Sequence, residues 1–384
     1  MRDEKSGDGL LHLPERRRKM NGRIGAEEIW YGRMGKTLRL LEEIRGCLLE
    51  ERSAILLFPE GIFWEETFAK KVRQMAGNAS AHRMFKELID TGDDPGRLCL
   101  KELCSKAVRD EYWPGEPIGQ FLGEKKEITF HNNFLLVRGI CSGKSLRAWL
   151  SFIEEYEKHV RQDEPSAVFL LECCLKDVEG SLPVLRCETG LQDCHIFCLM
   201  AAEEAGTASA WTDYLAELAY QAGRGNSEFC ARLLAQPKEL FQNPVQTIVA
   251  CAEGFEFEGG FHGEESGIME SAKYMEAAES KATSAVWKAQ VVQLFPKLEQ
   301  FRYRFISEHE AGLRHHLPIP DGNGEQITDP FDLEFGNLIY IVHMDGVRFA
   351  PSDWEKIQFC RAARNTLAHN KVLTVEEVEQ VMRM

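Results

Sequence analysis

The chain lacks any apolar run of about 18 residues, the length that a membrane-spanning helix needs. Its first residues, MRDEKSGDGLLHLPERRRKMNG, also lack the apolar core of a secretory signal peptide. We therefore predict a cytoplasmic protein that does not associate with membranes. Positive charge is scarce, because 46 Lys and Arg against 61 Asp and Glu give a net charge of −15 over 384 residues. This balance argues against binding bulk DNA through charge alone.

The twelve cysteines include no C-x-x-C pair, so the commonest zinc and redox spacings are absent. Many lie in apolar stretches such as FLLECCL, where a free thiol behaves as a small buried hydrophobe. One group, Cys187, Cys194, His195 and Cys198, combines residue types that bind metals. If residues 195–201 form a strand, His195 and Cys198 point to opposite faces of it. We therefore predict reduced core thiols, no metal site and no cofactor.

Short apolar runs alternate with amphipathic segments from about residue 50 to residue 205, which predicts a mostly parallel sheet covered on both faces. The predicted strands are 53–59, 128–140, 166–174 and 194–202, and residues 83–90 fit either a strand or a helix. The predicted helices of this region are 27–51, 64–75, 97–108 and 145–160. Along the whole chain, we predict a disordered tail over 1–25, an α/β domain over 26–205, a helical connector with an acidic, Gly-rich loop over 206–272, and a helical bundle over 273–384.

Two segments approximate a phosphate-binding loop, which needs the spacing G-x-x-x-x-G-K-[ST] so that backbone N–H groups wrap the phosphates. GICSGKS (139–145) has three residues between its glycines, and GRMGKT (32–37) has two. The positions that should hold the first Gly are Arg138 and Trp30. We therefore predict no hydrolysis of ATP or GTP, with Lys144 a solvated residue near a helix start.

The order of elements resembles the nucleotide-binding core of the STAND/AAA-like NTPases. In that resemblance, strand 53–59 precedes the nucleotide loop, and FLLVRG (134–139) occupies the position of the acidic, metal-binding strand. The segment SAVFLLE (166–172) is then the next, sensor-type strand. The loop PEGIFWEE has no Gly-Lys pair, so the resemblance implies a degenerate, P-loop-like domain that acts as a sensor or scaffold. Glu65 and Glu66, the last two residues of PEGIFWEE, belong to the predicted helix 64–75 and are expected to lie on its solvated face.

The C-terminal quarter of the chain predicts a bundle of four helices. The first, over 285–306, carries an apolar seam with steps of three and four residues. Pro296 interrupts that helix, and a Pro/Gly loop over 318–329 follows it. The second helix is predicted to open at Asp329 and Pro330, the third at Ser352 and the fourth at Thr374. Ser352 with Glu355, and Thr374 with Glu377, have the spacing of capping boxes.

The segment RNTLAH lies near the end of the third helix, with Arg364, Asn365 and His369 in the pattern R-N-x-x-x-H. This pattern, and the NKVLTVEEV that follows it, resemble the HEPN superfamily over about residues 280–384. The resemblance implies a metal-independent endoribonuclease site that is completed across a homodimer of the bundle. It also implies a prokaryotic stress- or phage-defence context, with an RNA substrate and protein partners. Many members are inactive or act as binding modules, so a dimeric, non-enzymatic adaptor stays open as the alternative.

The residue types suit cleavage of RNA without a metal, which needs an acid, a base and a cation for the phosphate. Histidine titrates near neutrality, and arginine stays charged and binds phosphate through two N–H groups. Asn365 and His369 are four residues apart and share one helix face. Arg364 lies about 140° away around the helix, so either its side chain crosses over or the helix ends before His369. Asn370 is a plausible stop signal for that helix.

Taken together, the sequence predicts a fold of class α/β plus all-α. A degenerate P-loop-like parallel sheet domain is followed by a helical connector and a C-terminal helical bundle. Arg364, Asn365 and His369 are the predicted catalytic residues.

Overall fold

The computed structural model describes residues 24–206, 209–253, 255, 275–322, 324–345 and 348–384. These residues form two compact units. The sheet unit comprises residues 24–193, and the helical unit comprises the described residues from Cys194 onward. The predicted tail over residues 1–25 lies outside the described residues except for Ile24 and Gly25, as does much of the predicted acidic loop.

The sheet unit alternates helices and strands, as the apolar runs predict. Its elements in chain order are α1 (Ala26–Arg33), α2 (Gly35–Leu49), β1 (Ala54–Leu57), α3 (Glu65–Ala79), β2 (Met84–Ile89), α4 (Pro95–Leu103), α5 (Lys106–Glu111), α6 (Ile118–Glu124), β3 (Asn133–Ile140), α7 (Gly143–His159), β4 (Val168–Cys173) and β5 (Val184–Arg186). The five strands form one parallel sheet in the order β2-β3-β4-β1-β5. The parallel sheet and its first strands are therefore confirmed, and residues 83–90 are resolved as a strand.

The fourth predicted strand, over 194–202, is wrong. These residues belong to α8 (Leu191–Glu204). Its buried residues, Cys194, Phe197, Cys198, Ala201 and Ala202, recur at spacings of three and four, which is a helical stripe. A short apolar run does not by itself distinguish a buried helix from a buried strand. Here the run is part of a helix of 14 residues.

The two faces of the sheet carry different side chains, because successive residues of a strand alternate between faces. Leu135, Val137, Leu171 and Cys173 join a large apolar core with residues of α4, α6 and α7. Arg138 of β3 and Glu172 of β4 lie on the other face, and Arg138 contacts the first turn of α3 there. Two ionisable residues are thus built into the carboxyl ends of the central strands β3 and β4.

The helical unit takes in the rest of the described chain. Its elements are most of α8, then α9 (Ser209–Gly223), α10 (Ser227–Leu234), α11 (Pro237–Gln242), α12 (Pro244–Ala252), α13 (Met275–Arg314), β6 (Ile319–Pro320), β7 (Gln326–Ile327), α14 (Phe335–Asp345), α15 (Pro351–Ala368) and α16 (Val375–Met382). Residues predicted as a separate connector belong to the same unit as the C-terminal helices. The reason is that α9 and α12 pack along α13, which joins the described residues on both sides of the acidic loop in one unit.

The C-terminal helices follow the predicted order with local differences. The apolar seam of α13 is confirmed at Leu294, Leu298, Phe301 and Phe305, which are buried, and the helix continues through Pro296. The predicted loop contains an antiparallel pairing of β6 with β7. Asp329 caps a short 3-10 turn, Pro330–Asp332, and α14 begins only at Phe335.

One of the two predicted capping boxes is present. Thr374 and Glu377 exchange both hydrogen bonds of the box at the start of α16. The box at Ser352 is wrong, because α15 begins one residue earlier with Pro351 at its first position. Ser352 is therefore inside the helix and does not cap it. Within the described residues, no helix is both long and apolar enough to cross a membrane.

Gln290 of α13 fixes the chain between α15 and α16. Its Oε1 accepts a hydrogen bond from the Leu373 backbone N–H at 2.7 Å, and its Nε2 donates to the Leu373 carbonyl at 3.1 Å. Gln290 is 1% exposed, so a glutamine here satisfies two buried backbone groups at once.

Replacing Gln290 with Leu leaves both backbone groups of Leu373 buried without a partner. We expect Gln290→Leu to lower the free energy of unfolding by about 2–4 kcal/mol, measured by denaturant unfolding. Gln300→Leu, at an exposed position of the same helix, is the control and should change it by less than about 0.5 kcal/mol. Equal effects of the two substitutions would contradict the assigned role of Gln290.

Candidate functional site

The segment RNTLAH forms the last turn of α15 and the residues that end it. The helix ends at Ala368, and the backbone N–H of His369 closes onto the carbonyls of Asn365 and Thr366. Asn370 has φ of +57°, a left-handed conformation that stops a helix. The predicted stop at Asn370 is therefore confirmed, and the helix ends before His369.

Asn365 and His369 are both exposed at this helix end. The backbone beneath them is held from α13, since Trp287 Nε1 donates to the Leu367 carbonyl at 2.8 Å. Together with the Gln290 bonds to Leu373, this contact fixes the chain on both sides of His369. The exposed His369 imidazole is thus attached to a backbone that hydrogen bonds from α13 hold in place.

Arg364 is directed away from the helix end, toward α13 and the start of α14. Its Nε lies 3.2 Å from Glu299 Oε1, and its Nη2 lies 3.0 Å from Glu334 Oε2. The guanidinium also lies over the Phe295 ring, 5.6 Å from its centroid. In the described part of the chain, no hydrogen bond joins the Arg364 side chain to that of Asn365 or His369. The structure thus places the three residues on one helix end but binds Arg364 to two carboxylates.

The loop after β1, where a nucleotide is held in the STAND/AAA-like resemblance, is filled by apolar side chains. Phe58, Ile62 and Phe63 are buried, and Tyr31 donates its hydroxyl hydrogen bond to the Phe63 carbonyl at 2.6 Å. The loop contains no lysine and contributes Glu60, whose pKa burial raises. Neither the packing nor the charge of this loop suits a triphosphate.

The two segments that approximate phosphate loops have structural roles. In GICSGKS, Ser142 caps α7 and Ser145 donates a hydrogen bond of 2.6 Å to Asp90. Lys144 is exposed in the first turn of α7. In GRMGKT, the buried Thr37 hydroxyl hydrogen-bonds to the carbonyls of Trp30 and Met34 at the corner between α1 and α2. The hydroxyls of Ser142, Ser145 and Thr37 therefore already make hydrogen bonds within the protein.

A charged cluster that sequence reasoning missed lies at the carboxyl edge of the sheet. We call it the Arg138 cluster, and it consists of Arg138, Glu65, Glu66, Glu87 and Glu172. The guanidinium lies 2.6 Å from Glu65, 3.0 Å from Glu66 and 3.1 Å from Glu87. Glu65 and Glu66, expected to be only solvated, are thus ion-pair partners of a buried arginine. The available signal was a lone charge inside each of two apolar strands, FLLVRG and VFLLEC.

Glu172 is the most buried member of the Arg138 cluster, with 2% of its surface exposed. Burial, and next the charge of Glu65, raise its pKa to about 8, while Arg138 and a hydrogen bond from Gly139 oppose the shift. Its Oε2 makes no hydrogen bond among the described residues. Arg138 Nε is 3.9 Å from it, beyond hydrogen-bond range. At neutral pH this carboxyl group is mainly protonated, because burial disfavours its charged form.

The cysteine-containing group differs from the one that the sequence suggested. Cys194 and Cys198 lie one turn apart on α8, and Cys230 of α10 joins them, with all three sulfur atoms within 4.8 Å of one another. The argument from a strand does not apply, because α8 is a helix. His195 pairs with Glu217 at 3.1 Å and is not in the group, and Cys187 belongs to the sheet unit.

Comparisons of the chain with protein families, with curated proteins and with solved structures find no match.

The raised pKa of Glu172 has a defined effect on stability. The unfolded carboxyl loses its proton near pH 4.5 and the folded one near pH 8. Between these values the folded chain binds more protons, so this contribution to stability falls as pH rises and levels off above about pH 8. Glu172→Gln removes that loss. The difference between the free energy of unfolding of the variant and that of wild type should grow by about 2–4 kcal/mol as the pH rises from about 5 to about 8, measured by denaturant unfolding.

Glu66→Gln is the matched control, since Glu66 contacts the same guanidinium but its side chain is 75% exposed. It should leave the pH profile of stability parallel to that of wild type. A Glu172→Gln profile that is also parallel to wild type would show that Glu172 ionises normally in the folded chain.

Proposed function

We propose that the helical unit is a HEPN-like, metal-independent endoribonuclease of a prokaryotic stress- or phage-defence protein, with the sheet unit as its non-hydrolysing sensor. The observation that supports this most is the helix end, where Asn365 and His369 are exposed together on a backbone fixed by α13. Because α15 ends before His369, Arg364 and His369 need not be separated by the angle of about 140° that a continuous helix would impose. The HEPN resemblance supplies the class of reaction.

In this proposal His369 either accepts a proton from the RNA 2′-hydroxyl or donates one to the leaving oxygen, and it then exchanges that proton with water. Arg364 stabilises the charged phosphate. Asn365 orients the phosphate or the imidazole. Because Arg364 is bound to Glu299 and Glu334, a phosphate has to displace one carboxylate to reach it. Glu334 is the weaker holder, since its side chain is 50% exposed while that of Glu299 is 31% exposed. Glu299 also binds Arg302 at 2.7 Å, which keeps it in place.

The sheet unit is proposed to be P-loop-like in its order of elements but inactive toward nucleotides. This part of the proposal rests on the apolar filling of the loop after β1. It also rests on the Arg138 cluster, where four glutamates surround one arginine at the edge that a triphosphate would approach. Bringing a polyanion to these carboxylates costs electrostatic energy that one guanidinium does not offset. A protein partner is the proposed trigger.

The non-enzymatic adaptor is the second candidate, and the ion pairs of Arg364 favour it. A guanidinium already shared by two carboxylates joins α15 to α13 and α14, which is a complete structural role. The two candidates predict opposite effects of releasing Arg364, so a substitution at Glu334 separates them.

The test is cleavage of a mixed RNA pool by the full-length protein, with chelator added at the start of the reaction. We expect Arg364→Ala and His369→Ala each to lower the rate by about 10²–10⁴-fold, and Asn365→Ala to lower it less. Glu334→Gln should raise the rate at low RNA concentration, because Arg364 then meets phosphate with one carboxylate fewer.

Arg361→Ala and His315→Ala are the matched controls, since Arg361 is exposed on α15 and His315 is exposed in the turn directly after α13. Both controls should cleave at the wild-type rate. Equal cleavage by wild type and all variants would identify a contaminating nuclease and refute the proposed site. An inactive wild type, assayed as a dimer with its native partners, would favour the adaptor.

The proposal also requires a two-fold homodimer through residues 280–384, since the HEPN-like site is completed by a second copy. Tyr340 and Met344 lie one turn apart on α14, and both are exposed, Met344 by 65%. Exposed apolar side chains of this kind are typical of interfaces. We expect a dimer by light scattering at tens of micromolar protein. Met344→Glu should raise the dissociation constant of the dimer by at least about tenfold.

The control for the dimer is Ser352→Glu, which adds the same charge at an exposed polar position of α15. It should leave the dissociation constant unchanged. A wild-type chain that is monomeric at this concentration would exclude the homodimer.

A further inference from the structure

The thiols of Cys194, Cys198 and Cys230 form a closed group inside the helical unit. Each of the three residues is at most 1% exposed. Cys194 and Cys198 are four residues apart on α8, so their side chains share a face, and Cys230 comes from α10. Cys194 Sγ and Cys230 Sγ are 3.7 Å apart. We call these three residues the thiol group.

The spacing of the thiol group matches that of sulfur ligands around a tetrahedral ion. Zinc–sulfur bonds of about 2.3 Å place two ligand sulfurs about 3.8 Å apart. The Cys194–Cys230 distance already has this value, and every other pair lies within 4.8 Å. No large movement of α8 or α10 is therefore needed to bring the three sulfurs onto one ion.

Polar groups without partners lie beside the thiol group. Ser227, at the first position of α10, is fully buried, and its hydroxyl lies against Cys194 without a hydrogen bond of good geometry. Asn226 is 2% exposed, and its Nδ2 has no hydrogen-bond partner among the described residues. Buried polar atoms normally find partners, so the Ser227 oxygen, which has lone pairs to offer, is open to a further group, whereas the Asn226 amide N–H needs an acceptor.

The chain also brings backbone unusually close to the thiol group. A Cβ built on Gly223, at the end of α9, would lie 2.4 Å from Cys230 Sγ, so only glycine fits there. Burial raises the pKa values of Cys198 and Cys230. Cys230 Sγ also lies 3.2 Å from the Ala219 carbonyl, to which its thiol donates a hydrogen bond.

We propose that Cys194, Cys198 and Cys230 bind one thiophilic d¹⁰ metal ion, zinc(II) or copper(I), as a structural site that joins α8 to α10. Thiolate sulfur is the ligand type that selects these ions over magnesium or calcium. Binding releases the protons of the thiols that become ligands to solvent, and no oxidation takes place. Copper(I) is satisfied by the three sulfurs, whereas zinc takes a fourth ligand in addition to them.

The proposal does not depend on the ribonuclease site, because none of its residues lies in RNTLAH. It predicts that the metal contributes to folding of the helical unit, since an ion that binds only the folded chain stabilises it by mass action. Complete burial also predicts slow loss of the metal to a chelator, because the ion leaves only when α8 and α10 separate.

The experiment measures metal content and thermal unfolding of the full chain, purified under reducing conditions without chelator. We expect about one zinc or copper ion per chain by elemental analysis. Cobalt(II) added to stripped protein should give sulfur-to-cobalt charge-transfer absorption and the intense visible bands of a tetrahedral site. Cys198→Ser and Cys230→Ser should each lower the metal content at least about tenfold.

Cys251→Ser is the matched control, because Cys251 is equally reduced and buried in α12 of the same unit but lies outside the thiol group. It should bind metal like wild type. Stripping the metal should lower the unfolding temperature of wild type and of Cys251→Ser, and zinc(II) or copper(I) added under reducing conditions should restore it. Elemental analysis identifies which of the two ions is bound.

If Cys230→Ser does not fold, Cys198→Ser and the cobalt titration of wild type still decide the question. Three outcomes would overturn the proposal: wild-type protein that binds neither metal in the reduced state, a cobalt complex without sulfur charge-transfer bands, or a Cys194–Cys230 disulfide that persists in the reducing buffer.

Discussion

The ion pairs of Arg138 determine what the carboxyl edge of the parallel sheet can do. A guanidinium on the face of β3 draws in carboxylates from α3, β2 and β4, because a charge this deeply placed is stable only with partners. The arrangement holds the first turn of α3 against the sheet. It also places more carboxyl groups than guanidinium groups at the edge of a parallel sheet, where ligands commonly bind.

The same requirement, that buried polar groups find partners, organises the helical unit. Gln290 and Trp287 of α13 satisfy backbone groups on either side of His369. Arg364 is shared between Glu299 and Glu334. The thiol group is the place where partners are incomplete, with the Ser227 hydroxyl and the Asn226 amide left over. The fully paired contacts account for structure, and the incomplete ones point to a ligand.

Prediction of the candidate sites from sequence succeeded where the signal is local. The stop at Asn370 and the capping box at Thr374 need only a few neighbouring residues, and both are present. Prediction failed where partners are distant in sequence. The partners of Arg364 are 65 and 30 residues away, and Cys230 is 32 residues beyond Cys198. No spacing rule along the chain reveals such contacts, and the reading of residues 194–202 as a strand concealed the face that Cys194 and Cys198 share.

The sequence by itself determined the class of each half of the chain. Apolar runs of strand length between amphipathic segments require a covered parallel sheet, and the seam of α13 requires helical neighbours. Tertiary structure alone decided the strand order β2-β3-β4-β1-β5, the joining of α9 to α13 in one unit, and the clustering of four carboxylates on Arg138. The physical reason is that periodicity reports which face of an element is buried, whereas the side chain that meets it there depends on how distant segments pack.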